Sequence, residues 1–252
     1  MENMEKSRRT RLWWGSLFAL LALLLLLWGT SRMTASQQVT AWALPLSGWV
    51  FVLDPGHGGP DGGAVSVNGL IEKNVSLPIA LYLRDYLQEA GALVLMTRER
   101  DEDLAREGTR GYYKRKVQDL QERVRLANES GADFLVSIHL NSIPSPRWYG
   151  AQTFYKADSG EAKLLAESIQ QQLIQRLGNT SRAAKPAQDV FIIQQAQLPA
   201  VLVEVGFLSH PEEAARLSQP EYQKKVAASI YEGILSYSDQ LAIREKRSIP
   251  GE

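Results

Sequence analysis

The sequence predicts an α/β domain, an open mixed and mostly parallel sheet with helices on both faces, preceded by one N-terminal hydrophobic helix. Two observations carry this expectation. From Trp49 onward, apolar runs of strand length alternate with helical patterns at short spacing, which is the signature of a layered α/β architecture. Three of those runs also end in, or carry, groups that an apolar core does not need: His57 after Trp49–Leu53, His139 after Phe134–Ile138, and Glu204 inside Ala200–Phe207. In an α/β sheet, strand ends and the loops leaving them are where functional groups converge.

The elements follow in order. Lys6, Arg8, Arg9 and Arg11 precede an unbroken leucine-rich run, Leu12–Trp28, close to the minimum needed to cross a hydrocarbon core about 30 Å thick. Residues 1–11 read as a basic cytoplasmic flank and residues 12–29 as a retained anchor that sends the remainder outside. A cleaved signal peptide is the alternative, with Thr34-Ala35-Ser36 as its cut site. Residues 30–48 read as a linker, 49–241 as the domain and 242–252 as a polar tail.

Within the domain, Val50–Leu53 predicts the first strand. Asn74 is a good N-cap, and Val75, Ile79, Leu83 and Leu87 recur at helical spacing up to Gly91. Ala92–Thr97 predicts a second strand, Leu104–Lys116 a mobile surface excursion, and Val117–Asn128 a helix stopped by Gly131. Further strands are expected at Phe134–Ile138, Ala151–Tyr155, Val190–Ile193 and Ala200–Val205. Helices are expected at Gly160–Leu177 and Glu221–Leu241.

Composition narrows the function. Lys and Arg number 28, and so do Asp and Glu, but residues 1–36 hold five basic and two acidic groups, leaving the rest at −3. That sign argues against a nucleic-acid partner. With no cysteine in the chain, thiolate metal sites and a cysteine nucleophile are excluded.

The loop after the first strand, Gly56–Gly63, is glycine-rich but carries Asp61 where a dinucleotide loop needs glycine, and no Gly-Lys-Ser/Thr follows. Adding Glu72, just outside the apolar run of the next helix, gives four candidates: His57, Glu72, His139 and Glu204. Two imidazoles and a carboxylate are the ligand set of a hydrolytic zinc site, and the fourth group can be a base. Each has a plainer reading: a turn histidine, a glutamate favoured by a helix dipole, a satisfied core histidine. Glu204 resists the plain reading most, because an unpaired carboxylate in Val-Leu-Val-Glu-Val-Gly-Phe needs a cation or a raised pKa. Asp54 reads either as a carboxylate orienting an imidazole or as an Asx-turn. His210 reads as a surface residue.

Leu53-Asp54-Pro55-Gly56-His57-Gly58-Gly59, Glu72-Lys73-Asn74, Thr97-Arg98 with Asp101, Ser137-Ile138-His139-Leu140-Asn141-Ser142 and Val203-Glu204-Val205-Gly206-Phe207-Leu208-Ser209 follow one another in order. Together they resemble the zinc-dependent N-acetylmuramoyl-L-alanine amidases of bacterial cell-wall hydrolysis over roughly residues 49 to 237. The resemblance implies zinc (Zn2+) held by His57, Glu72 and His139, with Glu204 as catalytic acid/base. It implies peptidoglycan as substrate and a mixed sheet flanked by helices. It also implies an exported location, at the outer side of the cytoplasmic membrane or in the forespore intermembrane space. Any protein activator is left open, and Asn141 falls either on substrate or behind a ligand. Within the family the chain resembles the germination-specific amidases of spore-forming bacteria. Two departures stand out: His210 where the family usually has asparagine, and a longer, more basic Leu104–Lys116. A peptidoglycan-binding module without catalysis, and a zinc deacetylase or peptidase on the same polymer, are the competing functions.

Overall fold

The computed structural model describes residues 44–248 and, before them, only Leu20 and Leu23. The anchor or signal expected at residues 12–29 lies outside the described residues. Among the described residues no helix is long and apolar enough to cross a membrane.

Six strands form one sheet in the order β2-β1-β3-β6-β4-β5. They are β1 (Val50–Pro55), β2 (Leu93–Met96), β3 (Phe134–Asn141), β4 (Gln152–Tyr155), β5 (Lys185–Pro186) and β6 (Ala200–Phe207). The pairs β1–β2, β1–β3, β3–β6 and β4–β5 are parallel, and β4–β6 is antiparallel. The sheet is thus mixed and mostly parallel, as expected. The helices are α1 (Lys73–Glu89), α2 (Tyr112–Glu129), α3 (Gly160–Leu177), α4 (Phe191–Gln195), α5 (Pro211–Leu217) and α6 (Pro220–Ser248).

Alternation along each strand divides the core in two. Phe51, Leu53, Val136, Ile138, Val201 and Val203 face one way and pack under α1, α3 and α6. Val52, Leu135 and Leu202 face the other way, against Ala127 of α2 and Ile192 and Ile193 of α4. Both faces of the central strands are therefore buried, which is why these strands read as continuous apolar runs. Ser137, His139 and Glu204 share the second face, and that places the polar groups beneath the thinner helical layer.

Several boundaries differ from expectation, each for a physical reason. Val190–Ile193 is not a strand. Its apolar residues form the short helix α4, and a run that brief does not distinguish the two states by periodicity. The edge strand is instead Lys185–Pro186, where a proline is tolerated because an edge need not donate on both sides. Helix α2 begins at Tyr112, so the last five residues of Leu104–Lys116 are helical. The remainder of that segment is tied down: the Leu104 N–H donates to Asp119 at 2.9 Å, Thr109 Oγ1 to Gln118 at 2.8 Å, and Arg115 Nη1 to Thr109 O at 3.1 Å. Asn74 lies inside α1, with Glu72 at the cap position in helical geometry and making no side-chain cap. Packing also begins upstream of Trp49, since Leu46 is fully buried, and α6 continues through Ser248.

Helices α3 and α6 touch where Gly233 meets Ile169. A Cβ on Gly233 would lie 2.4 Å from the Ile169 Cα. Alanine is worth about 1 kcal/mol over glycine inside a helix, but forcing two packed backbones apart costs about 1–3 kcal/mol or more. Gly233→Ala should therefore lower stability by up to about 2 kcal/mol, read as a fall in the urea midpoint at unchanged m-value. A rise in the midpoint would mean the two helices are not in this contact.

Candidate metal centre

The strand register builds the centre. His139 of β3 and Glu204 of β6 are direct register partners in a parallel pair, so both side chains leave the same sheet face about 4.8 Å apart at the backbone. His57 arrives from the loop after β1, and Glu72 from the start of α1. The two imidazoles meet edge to face with ring centroids 5.1 Å apart. Glu72 lies between them: its Oε2 is 3.2 Å from His57 Nε2, and its Oε1 is 3.0 Å from His139 Nδ1.

Backbone donors fix this carboxylate. Ala64 N–H donates to Oε2 at 2.9 Å and Leu140 N–H to Oε1 at 2.9 Å, with Glu72 only 3% exposed. The close approach of the rings requires Gly56, where a Cβ would fall 2.4 Å from the His139 imidazole.

His57, Glu72 and His139 each offer one ligand atom, all within 4.8 Å of one another. Two neutral imidazoles and one carboxylate fit a borderline-soft divalent cation, zinc above all, with a position left open. The electrostatics agree. Burial works against a charge on His57, yet its hydrogen bonds to Asp61 and Glu72 outweigh that and raise its pKa to about 9. Surroundings that hold a proton so firmly also favour a metal cation in its place. Burial opposes ionisation of Glu72 as well, but its hydrogen bonds to His139 and His57 hold the carboxyl well below the usual range.

Glu204 stands apart from the trio. Its Oε2 is buried without a hydrogen-bond partner among the described residues. Burial, offset by His139 and reinforced by Glu72, raises its pKa to about 7. Glu204 and Asn141 both line a cavity of about 440 Å³ on this face. A larger cavity of about 590 Å³, between Trp148, Tyr149 and Arg182, contains none of the four candidates.

The structure thus brings together all four residues singled out from sequence. It reassigns two neighbours. Asp54 touches no imidazole: it accepts from Ser137 Oγ at 2.6 Å, Thr97 Oγ1 at 2.7 Å and Arg123 Nη1 at 2.7 Å. The carboxylate that orients His57 is Asp61, 2.9 Å from its Nδ1, itself held by the Tyr112 hydroxyl at 2.9 Å and by Lys116 at 3.1 Å. An aspartate four residues after a histidine in a tight loop was the only signal in the sequence. His210 is more than a surface residue, because its Nδ1 caps α5 by accepting from Glu213 N–H at 3.3 Å. An imidazole nitrogen there does what an asparagine oxygen would do.

Two guanidinium groups lie behind the metal-facing loop. Arg123, 2% exposed, donates to Pro55 O at 2.8 Å, His57 O at 2.7 Å and Asp119 at 2.9 Å. Arg98 donates to Pro55 O at 3.0 Å and Gly56 O at 2.9 Å. They hold His57 at φ 61°, a left-handed conformation that non-glycine residues seldom adopt.

A layered α/β sheet whose His-Glu-His cluster could hold a metal, beside a buried acid with no hydrogen-bond partner for its Oε2 among the described residues, is the arrangement expected of a hydrolase. A family model described as N-acetylmuramoyl-L-alanine amidase matches residues 51–236. Over 196 residues the chain is 56% identical to the germination-specific N-acetylmuramoyl-L-alanine amidase of Bacillus subtilis, covering 78% of this chain and 82% of that protein. It is 36% identical over 195 residues to the amidase LytC of the same organism, covering 77% of this chain and 36% of LytC. The solved CwlD amidase of Clostridioides difficile, in complex with the GerS lipoprotein, superposes with a TM-score of 0.74 at 36% identity. That match covers 77% of this chain and 99% of CwlD. The chain belongs to the N-acetylmuramoyl-L-alanine amidase family.

Asp54 gives a pH test of the scaffold. Burial pushes its pKa up, but Arg123 foremost, with His139, Ser137 and Thr97, holds it at about 2 against an ordinary 3.8. A depressed folded-state pKa contributes stability that is complete above pH 4 and lost as pH falls towards 2. The amount is about 2 kcal/mol. Urea midpoints of Asp54→Asn should therefore start lower at pH 5 and change less between pH 4 and 2 than those of the parent. Parallel profiles would show that this carboxyl is not ion-paired.

Proposed function

We propose that His57, Glu72 and His139 hold a zinc ion and that Glu204 moves the proton in the family's reaction. The chain is an N-acetylmuramoyl-L-alanine amidase, a peptidoglycan hydrolase that cleaves the amide between N-acetylmuramic acid and the L-alanine of the stem peptide. The observation that carries the mechanism is the pairing of a three-residue cluster that could hold a metal with an adjacent carboxyl whose Oε2 has no hydrogen-bond partner among the described residues.

A zinc ion bound there supplies Lewis-acid polarisation of the scissile carbonyl and of water, whose pKa it brings towards about 7. Glu204 accepts the proton of the attacking water and then delivers it to the departing alanine nitrogen, which an amine leaving group requires. Asp61 fixes the tautomer of His57 by accepting from Nδ1, leaving Nε2 towards the ligand cluster. Glu72 is kept ionised and aimed by the Ala64 and Leu140 N–H groups.

The similarity to the B. subtilis enzyme supports a role in the spore cortex, where freeing the muramoyl lactyl group prepares the sugar for lactam formation. The basic flank and leucine run at residues 1–29 support export with a retained anchor, and the catalytic domain on the outer side of the membrane. The C. difficile relative solved with a lipoprotein supports a protein partner in the same compartment.

Elemental analysis of the full-length chain should give about one zinc per molecule, and His139→Ala should lose most of it. Full zinc occupancy in that variant would remove His139 from the ligand set. Glu204→Gln separates base from ligand. It should keep its zinc and its fold, and lose at least about 10²-fold in release of peptide with a free L-alanine amino terminus. Near-normal turnover would exclude Glu204 from catalysis, and loss of zinc would make it a ligand. Mass analysis of the products also decides against a deacetylase or a peptidase, neither of which frees that terminus.

A further inference from the structure

We propose that Lys185 binds a carboxylate on the departing peptide, so that the site prefers anionic stem peptides to neutral ones. The proposal rests on the amidase reading and assigns part of its substrate specificity.

The sheet itself builds the subsite. Leu202 of β6 is in register with Phe154 of β4, and Phe154 with Lys185 of β5. These three residues therefore form a row across one face. Glu204 lies two residues beyond Leu202 on that same face. Glu204, Asn141, Leu202, Phe154 and Lys185 all line the cavity of about 440 Å³.

Strands repeat about every 4.8 Å, so Lys185 lies about 10 Å across the sheet from β6, before the reach of its own side chain. An extended peptide advances about 3.3 Å per residue. A carboxylate two to four residues past the scissile amide therefore meets the ammonium while the amide sits at Glu204.

Charge fits the same polarity. Lys73, Lys116 and Lys156 are each paired with an aspartate, whereas the Lys185 ammonium has no ion pair or hydrogen bond among the described residues. At the opposite end of the cavity, Glu204 Oε2 likewise lacks a partner. The unpaired ammonium of Lys185 draws a peptide carboxylate to the far rim of the cavity. Leu202 and Phe154 form an apolar floor between the two ends. They offer the peptide no competing hydrogen bond and strengthen charge recognition at the rim by excluding water.

The test uses the full-length zinc enzyme and two synthetic muramoyl peptides, identical except that one has free carboxylates and the other has them amidated. With the free acid, Lys185→Ala should raise KM about two- to fivefold, as expected for an exposed ion pair. It should leave kcat and zinc content unchanged, and Lys185→Arg should restore KM. The parent should show the same raised KM on the amidated peptide, and Lys185→Ala should add nothing to it. Raising ionic strength should weaken binding of the acid by the parent but not by Lys185→Ala.

Equal KM values for the two peptides in the parent would overturn the proposal. So would an equal loss on both peptides in Lys185→Ala. A parent enzyme that frees no L-alanine terminus from either peptide would overturn the amidase reading itself, and this subsite with it.

Discussion

The loop that presents His57 depends on two guanidinium groups buried behind it. Arg123 and Arg98 donate to the carbonyls of three consecutive residues, Pro55, Gly56 and His57. A loop that turns back from a buried strand end and presents an imidazole cannot satisfy those carbonyls with a ladder, and an orphaned buried carbonyl costs about 1–3 kcal/mol. Arg123 is tolerated there because Asp54 and Asp119 neutralise it. Breaking such a pair on one side costs about 3–5 kcal/mol. The network therefore concerns position as much as stability: it holds His57 in a left-handed conformation from which its ring meets Glu72.

The remaining geometry follows from strand register. Because β3 and β6 are parallel and in step, His139 and Glu204 emerge side by side, and a shift of one residue would turn either to the opposite face. The irregularity between His139 and Asn141 comes only after that pair. A rigid sheet thus sets the spacing between His139 and Glu204, while the segments outside the sheet supply His57 and Glu72. This division keeps Glu204 close enough to share the field of the cluster without being drawn into it.

The sequence was most informative where burial and chemistry conflict. Glu204 in an apolar strand and two histidines closing apolar runs were visible because each violates a simple pattern, and those are the residues the structure gathers. The buried strands were legible for the same reason. Partnerships between distant residues were not. Arg123 sits in a helix rich in charge, and nothing local distinguishes it from its exposed neighbours Arg125 and Glu122. Its burial is decided by Asp54, 69 positions away. Asp61 was hidden by the glycines around it, and the role of His210 depends on a backbone N–H three residues on. The apolar segment at residues 190–193 failed because helix and strand look alike at that length, and its tertiary neighbours decide the outcome.

On the proposed reading His57, Glu72 and His139 are the metal's three protein ligands and Glu204 stays outside its coordination sphere. X-ray absorption at the zinc edge of the full-length protein tests this directly. The expected result is scattering from two imidazoles and one carboxylate, with the remaining coordination supplied by solvent, and the same spectrum in Glu204→Gln. A spectrum requiring a second carboxylate that disappears in Glu204→Gln, or only one imidazole, would contradict it.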